Sequence, residues 1–541
     1  MRHQPKAIRL TPTVATRQTL HPKFLQLIGH GYLPDHIPPC FSSRAWAAAL
    51  ASGSNSAIFS KMEATARIAP VSRADIHKVA RPGKNRRLLS LVAPEHFFSL
   101  ALDLCDNEAS IFDKSNISLT APLWADSPYS NTDRAIKWRV EQRSCDSVRA
   151  ISRAGSNYVV IADIRGFYGS IYTHALAWAI EGKSAAKARR NDPTMLGNRI
   201  DKLVRGGQSG ETIGIPIGPD TSHLIAEKIA CVIDRAIIAE APIASAGNRI
   251  IDDYEFPTKT HQDAEVVLST LQGILSEYRL ELNDSKTRII EAPPPTSDRW
   301  TGALRRLVIS EDRRTQEADL IDFFSEAMAL RDAQPSSGVL RYAIRRLTGE
   351  KIDTNNQKLF QSLLWQCAAV EPGTVSDVVN DLIRRKSDGW LIDLDLASKA
   401  TSSIVQSHLR ADHGSEVLWS LYSSQVISHP LSVDLESVLT HSVDPFVITM
   451  IVSMAFRDGH LSLTKERVVE ILESRGGDDE LPWLPLFELL RLSKGDCPKA
   501  VRDRVMAHPF LKLLAESGVS FIDEASLMSP IAVANEEYSD M

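Results

Sequence analysis

The sequence predicts an α+β region of about 300 residues, followed by an all-α region that extends to residue 541. Strand and helix patterns are mixed before residue 300, whereas strand patterns almost vanish after it. Three consecutive prolines at 293–295 lie between the two patterns, and such a run breaks regular structure. A chain of this length can form roughly two to four folding units. We therefore predict domains at 1–300 and 301–541.

The strands of the first region are predicted around two acidic positions. Residues 158–162 form a short β-branched run, which is typical of a buried strand. Residues 248–251 and 254–256 flank Asp252-Asp253, and this arrangement predicts a hairpin. Apolar residues at helical spacing predict a helix over 262–280. A turn rich in Gly and Pro at 214–219 predicts the start of another helix, which runs to about residue 234.

The second region carries one helical pattern after another. Thr374-x-x-Asp377 resembles a capping box and predicts the start of a helix over 375–383. Further helical patterns lie at 417–422, 446–456, 468–472 and 486–492. The breaks between helices include the loops at 371–373 and 475–479. No firm repeat period emerges, so these helices predict a HEAT-like α-solenoid or an irregular helical array.

Composition excludes several classes of protein. Hydrophobic residues make up 43% and charged residues 24%, which excludes a disordered or fibrous chain. The longest apolar stretch, 446–456, is too short to span a bilayer, and no signal-peptide pattern follows Met1. The six cysteines show no Cys-x-x-Cys spacing, which argues against structural zinc and disulfides. We expect a cytoplasmic protein without membrane partners.

Charge is divided unevenly between the two regions. Residues 1–300 carry 37 Lys and Arg against 31 Asp and Glu, whereas 301–541 carry 25 against 36. The first hundred residues are the most basic, with 14 against 4. A basic region suits a nucleic-acid partner, because neutralised phosphates release counterions. An ordinary solvated basic face explains the charge equally well.

Four features carry candidate chemistry, and each has an ordinary explanation when taken alone. Asp163 ends the predicted strand, and an isolated Asp there is commonly a cap. Asp252-Asp253 lie in a turn, where Asp is frequent. The Gly/Pro-rich turn at 214–219 can simply reverse the chain. Lys286 can be a solvated lysine.

Taken together, these residues fit nucleotidyl transfer, which uses two divalent ions about 3.5–4 Å apart. Neighbouring strands lie about 4.8 Å apart, so Asp163 and the pair Asp252-Asp253 are expected to meet at one end of a sheet. Carboxylate oxygens suit Mg²⁺ or Mn²⁺, and Lys286 can protonate the leaving pyrophosphate or neutralise its charge. Glycines in the 214–219 turn allow close approach of a nucleotide.

The order of these residues resembles motifs A to D of reverse transcriptases. The segments that carry the resemblance are Asp163 with Phe167-Tyr168, then 214–222, then Asp252-Asp253, and finally 282–287 with Lys286. Residues 170–174, 178–180, 182–183 and 31–39 narrow the resemblance to the bacterial abortive-infection and unknown-group, defence-associated reverse transcriptases. The resemblance covers residues 20–300.

The resemblance implies a right-hand polymerase palm with fingers. Asp163 and Asp252 would bind metal, and Asp253 would complete the carboxylate set. Tyr168 would form the steric gate that excludes a ribose 2′-hydroxyl. Arg87 would contact the substrate from the fingers, beside Lys84 and Arg86. Further substrate contacts are implied for Phe167, Gly218 and Pro219. The sequence departs from the family pattern at Ile250, where motif C commonly has an aromatic residue, and at Ile217, where retroviral motif B has Gln.

The family also implies a helical C-terminal region that supports homo-oligomers and guides the DNA product. Some members prime synthesis on a protein hydroxyl and some copy no template. Candidate priming residues are Tyr32, Tyr342, Tyr422 and Tyr538, although a structural role suits each of them better.

The sequence therefore predicts an RNA-directed or template-independent DNA polymerase that uses dNTPs, binds a template or noncoding RNA, and acts in anti-phage defence. A non-catalytic RNA-binding or assembly protein on a retained palm scaffold is the alternative. An RNA-synthesising polymerase is disfavoured by Tyr168.

Overall fold

The computed structural model shows a mixed α+β protein with small antiparallel sheets and a helical C-terminal region. It describes residues 20–52, 56–83, 85–111, 117–124, 134–140, 142–291, 294–457, 463–474, 482–493 and 496–528.

The elements of the first region alternate between helices and short strands. In chain order they are α1 (Pro22–His30), α2 (Arg44–Ala51), α3 (Ser56–Arg67), β1 (Asp75–Ala80), β2 (Arg86–Leu91), α4 (Pro94–Asp106), α5 (Glu108–Ile111), β3 (Pro122–Trp124), β4 (Ile136–Trp138), α6 (Gln142–Ser152), β5 (Tyr158–Asp163), α7 (Phe167–Ser170), α8 (His174–Glu181), α9 (Lys183–Ala188), α10 (Leu196–Gly206), α11 (Asp220–Glu240), β6 (Asn248–Ile250), β7 (Asp253–Thr258), α12 (His261–Glu277) and β8 (Arg288–Glu291).

The second region is helical throughout its described residues. In chain order its helices are α13 (Arg299–Arg306), α14 (Arg313–Ala333), α15 (Val339–Leu347), α16 (Gln357–Val370), α17 (Val375–Ser387), α18 (Leu394–His408), α19 (Gly414–Ser423), α20 (Leu435–His441), α21 (Pro445–Arg457), α22 (Lys465–Glu473), α23 (Trp483–Leu492), α24 (Lys499–Ala507), α25 (Pro509–Glu516) and α26 (Glu524–Met528). A π-helical turn, Ser424–Ser428, follows α19.

A four-stranded antiparallel sheet lies at the centre of the first region, with strand order β6-β7-β5-β8. Val159, Val160 and Ala162 on β5 are fully buried, and α12 packs across β5 and β7. The predicted strand at 158–162 and the predicted hairpin around Asp252-Asp253 are both confirmed.

The helix predictions next to this sheet are confirmed with shifted ends. The helix after the Gly/Pro-rich turn begins at Asp220 and continues beyond residue 234 to Glu240. The helix expected over 262–280 ends at Glu277, because Arg279 adopts a left-handed conformation with φ +61° that turns the chain.

The predicted capping box at Thr374 is wrong. Thr374 has helical backbone angles, and its hydroxyl donates to the Glu371 carbonyl (2.8 Å) instead of accepting a bond from α17. A short 3₁₀ turn, Pro372–Thr374, leads into the helix and satisfies this hydroxyl locally. The predicted helices at 375–383, 417–422, 446–456, 468–472 and 486–492 are all confirmed, and the predicted break at 475–479 lies outside the described residues.

The helical region packs directly on the β1–β2 hairpin through α19 and α21. His77 on β1 and Asp444 are both buried and lie 2.6 Å apart, and Lys78 donates to Asp412 (2.8 Å). A second contact between the two regions is an isolated β-bridge between Phe41 and Ile522, near the end of the helical region. One hydrophobic cluster includes residues from both regions, and the domain boundary near residue 300 stays a prediction.

Within the described part of the chain, no helix is both long and apolar enough to cross a membrane. All six cysteines are buried and none forms a disulfide.

Candidate active site

The three predicted metal ligands lie at one end of the central sheet. Asp163 is the last residue of β5 and is paired directly with Asp253, the first residue of β7. Asp252 lies in the turn between β6 and β7, and its carbonyl accepts a hydrogen bond from the Ile164 amide (3.2 Å). Directly paired residues of antiparallel strands point to the same face. The structure therefore brings together three carboxylates that are up to 90 positions apart in the sequence.

Lys286 joins these carboxylates from a fourth segment. Leu282 forms a β-bridge with Ile164, and the Asn283 amide donates to the Asp163 carbonyl (2.8 Å). The Lys286 Nζ atom then lies 2.7 Å from Asp163 Oδ2. The Lys286 side chain is 60% exposed and the Asp163 side chain only 7%, so the ion pair lies at the mouth of the site.

The carboxylates carry uncompensated negative charge. Burial, together with the negative charge of Asp163, raises the pKa of Asp252 to about 6. Burial, the Asp252 charge and a hydrogen bond to Asp163 raise the pKa of Asp253 to about 7. For Lys286, burial acts to lower the pKa, but the hydrogen bond to Asp163 and the carboxylate charges outweigh it and raise this pKa. One ammonium group therefore faces more negative charge than it can balance.

The aromatic pair after Asp163 lies in the single-turn helix α7. Phe167 is buried, whereas Tyr168 is half-buried with its hydroxyl 3.4 Å from His223 Nδ1 on α11. Burial and the negative charge of Asp252 raise the pKa of Tyr168.

The Gly/Pro-rich turn passes between α7 and strand β2. The Ile215 amide donates to the Tyr168 carbonyl (2.9 Å), and the Ser90 amide of β2 donates to the Ile217 carbonyl (2.7 Å). Gly218 has φ +132°, and a Cβ atom there would lie 3.0 Å from Pro34 Cβ. A residue with a side chain would be strained at this point, so glycine is required. Pro219 is buried and forms the N-cap of α11.

Neighbouring arginines of β2 serve two different parts of the molecule. The positive charge of Arg87 opposes the raised pKa of both Tyr168 and Asp252, so its half-buried side chain lies near the site. Arg86 binds Glu416 (2.5 Å) and His413 (2.9 Å) of the helical region instead. Adjacent residues of a strand point to opposite faces, which explains the division. Lys84 lies outside the described residues.

A buried charge network beneath the site was not predicted from the sequence. Arg249 on β6 is fully buried and binds Glu227 (2.8 Å) and Asp234 (2.8 Å), both on α11. Burial acts to raise the pKa of Glu227, but the Arg249 charge outweighs it and lowers this pKa to about 2. An arginine inside the predicted hairpin was the available signal, because such a charge needs partners when the strand is buried.

Arg249 also holds the backbone that precedes the Asp pair. Its Nη1 atom donates to the Ile251 carbonyl (2.8 Å), and the Ile251 amide donates to Thr120 Oγ1 (3.0 Å). Ile251 has φ +52°, which is an unfavourable conformation for a β-branched residue. Contacts to the amide and to the carbonyl of Ile251 therefore hold a strained residue immediately before Asp252.

The candidate priming tyrosines lie in different environments. Tyr32 is fully buried and its hydroxyl donates to the Val92 carbonyl (2.6 Å), and Tyr422 is fully buried as well. Tyr342 is half-buried and its ring packs against Trp300 at 5.4 Å. Tyr538 lies outside the described residues. Priming at any of the first three would require their side chains to leave these contacts.

The acidic residues fit hard divalent cations by charge and by oxygen ligand type. The three aspartates do not form a group whose ligand oxygens all lie within 4.8 Å of one another. Among the described residues, only His408, His413 and Glu416 form such a tight group. Arg86 already binds two of its members, and its guanidinium balances the Glu416 charge.

No protein-family model matches this chain, and no curated protein matches it.

Proposed function

We propose that this chain is a DNA polymerase of the reverse-transcriptase type, with a palm built around the central sheet and fingers that include β1 and β2. The observation that carries the proposal is the Asp163–Lys286 ion pair beside Asp252 and Asp253. It joins residues 123 positions apart, and the charge of Asp252 acts on Tyr168, which follows Asp163 by five residues. Nucleotidyl transfer needs these residue types in one place.

Each residue has a role in this reaction. Asp163, Asp252 and Asp253 would hold Mg²⁺ or Mn²⁺, which when bound activates a 3′-hydroxyl and neutralises the pyrophosphate charge. Tyr168 blocks the space next to the sugar, Arg87 binds the triphosphate, and Lys286 protonates the leaving pyrophosphate. Gly218 and Pro219 shape the turn that bounds the nucleotide.

The biological role in this proposal comes from the family resemblance. It comprises anti-phage defence, an RNA template or noncoding RNA, synthesis with or without a template, and homo-oligomers that guide the DNA product. A helical region that packs on the β1–β2 hairpin is compatible with such coupling of assembly and synthesis.

Incubation of the purified chain with Mg²⁺ and labelled dNTPs tests the chemistry. Products are separated on a denaturing gel with and without protease, first without added nucleic acid and then with RNA. We expect labelled DNA from the wild type and none from Asp252→Asn with Asp253→Asn. Glu265→Gln removes an exposed carboxylate of α12 outside the site and serves as the control, with unchanged synthesis.

The outcomes separate the candidate functions. Label that protease releases from the protein shows protein priming, and free DNA shows a nucleic-acid primer. RNA binding without any synthesis, with every template supplied, would reject the polymerase and support the non-catalytic alternative.

Replacement of the proposed sugar gate tests substrate choice. Tyr168→Val should raise the incorporation of rNTPs relative to dNTPs by about tenfold or more, because discrimination by a steric clash disappears with the ring. Tyr168→Phe keeps the ring and should retain the dNTP preference. Equal rNTP use by the wild type and Tyr168→Val would remove Tyr168 from this role.

A further inference from the structure

A surface beside the candidate site combines aromatic rings with cationic side chains. It consists of Tyr172, Trp178, Lys183, Lys187, Ile213 and Arg279, which we call the basic–aromatic surface. Three of these residues belong to the segments at 170–183 that the proposed chemistry leaves without a role.

The cations of this surface lie over the faces of its two rings, and the rings meet edge to face. The Arg279 guanidinium lies 4.4 Å from the centre of the Tyr172 ring, and Tyr172 packs against Trp178 at 5.7 Å. Lys183 and Lys187 lie over Trp178 at 5.3 and 5.8 Å. Guanidinium and ammonium groups are attracted to the ring faces, so these contacts hold positive charge in place at the surface.

Much of this surface is open to solvent. Arg279 and Lys187 are exposed, and Ile213 is 57% exposed although it is a large apolar residue. Lys183 bonds the Glu277 carbonyl (2.9 Å) and lies 3.6 Å from its carboxylate. Among the described residues, no carboxylate forms an ion pair with Arg279 or Lys187. Positive charge therefore remains available to an anionic partner.

The surface is continuous with the candidate site. Tyr172 forms a β-bridge with Ile213, which precedes the Gly/Pro-rich turn, and lies four residues after Tyr168. Arg279 lies just before the segment that leads to Lys286, and the Arg165 amide donates to the Glu281 carbonyl of that segment (2.9 Å). The segments that build the site thus build this surface as well.

We propose that the basic–aromatic surface binds a single-stranded segment of nucleic acid next to the candidate site. Cations matched to phosphates, planar groups and an exposed apolar residue suit unpaired bases, because a duplex hides the faces of its bases. The inference rests on the proposed function for its biological meaning, but the binding itself needs no catalysis.

Fluorescence anisotropy with labelled oligonucleotides tests this surface in the full-length chain. Single-stranded DNA, single-stranded RNA and a duplex of the same sequence are titrated in EDTA without dNTPs. Tyr172→Leu should weaken single-strand binding about tenfold, within the range expected for loss of a stacking platform, while Tyr172→Phe should bind like the wild type.

A charge variant provides a second readout that does not disturb the core. Lys187→Gln with Arg279→Gln should lower the slope of log affinity against log salt by about 1.4, which corresponds to two lost phosphate contacts on a single strand. Lys358→Gln with Lys399→Gln, at exposed positions of α16 and α18, is the matched control and should leave the slope unchanged.

Each outcome decides one question. Unchanged single-strand affinity and salt slope in the surface variants, equal losses on duplex and single strand, or no wild-type binding at low salt would overturn the proposal. Losses confined to single strands support it, and the ratio of RNA to DNA affinity then identifies the preferred strand. If these losses occur but no dNTP is incorporated with any template, the surface stands and the polymerase proposal fails. Should Tyr172→Leu fail to fold, the charge variant decides.

Discussion

The molecule contains two groups of acidic residues around a cation, and they differ in charge balance. In the buried network, Arg249 is fully enclosed and its charge lowers the pKa of Glu227 to about 2. At the candidate site, Lys286 binds Asp163 but the pKa of Asp252 and Asp253 rises to about 6 and 7. The two groups lie on either side of the same hairpin.

The difference indicates which group is structural and which can bind a ligand. Arg249 presents several donors in a fixed plane and satisfies both of its carboxylates, so the network needs nothing more. Lys286 is a flexible point charge at the mouth of the site and leaves negative charge unbalanced. That deficit is what added cations would neutralise.

The largest effect is expected from removal of the cation in the buried network. Arg249→Leu should destabilise the fold by about 3–5 kcal/mol, because it leaves two buried carboxylates without their partner. Chemical denaturation measures the change. Adding Glu227→Gln and Asp234→Asn to this variant should restore part of the lost stability, since no uncompensated charge remains. A loss below about 1 kcal/mol for Arg249→Leu would show that the network is not structural.

Removal of the acidic charge at the candidate site should raise the stability of the fold, whereas Arg249→Leu lowers it. The folded protein keeps protons on Asp252 and Asp253 up to about pH 6 and 7, whereas their ordinary value is 3.8. Stability therefore falls as the pH rises from about 4 to 7. Asp252→Asn with Asp253→Asn should stabilise the fold by about 1–3 kcal/mol at pH 8, and by little near pH 4.

Denaturation at both pH values in a chelating buffer measures this gain. Addition of Mg²⁺ should then stabilise the wild type and leave the double variant unchanged. A wild type that is more stable than the variant at pH 8 without metal would contradict the charge deficit.

The smallest effect on stability is expected at Lys286. Lys286→Gln should change stability by less than about 1 kcal/mol, because a half-exposed ion pair is worth little. The rate of DNA synthesis should nevertheless fall, since the pyrophosphate loses its proton donor. Lys286→Arg should restore that rate only in part, because arginine replaces the positive charge but not the proton donor. Steady-state rates beside denaturation curves separate the two effects. A large loss of stability in Lys286→Gln would place Lys286 with the structural network.

Local sequence patterns were sufficient to predict that the aspartates of the candidate site lie together. The β-branched run before Asp163 and the turn at Asp252 are short-range signals, and antiparallel pairing places their side chains on one face. The partners of Arg249 could not be predicted in this way. Glu227 precedes it by 22 residues on another element, and Thr120, which fixes Ile251, is 131 positions away.

The same limit applies to the docking of the two regions. Lys78 and Asp412 are 334 residues apart, and His77 and Asp444 are 367 apart. Neither pair has a periodic or spacing signal, because the pairs form only when the helical region packs on the β1–β2 hairpin. Thr374 failed as a cap for a different, local reason, since a 3₁₀ turn already satisfied its hydroxyl.

Two neighbouring residues of strand β2 contact different regions of the molecule. Arg86 is tied to Glu416 in the helical region, and its neighbour Arg87 lies near Tyr168 and Asp252. A ligand or protomer that shifts the Arg86–Glu416 contact would therefore act on the same strand that carries Arg87. If the proposed nucleotide site at Arg87 is coupled to that ligand, thermodynamic reciprocity makes each alter the affinity for the other by the same factor.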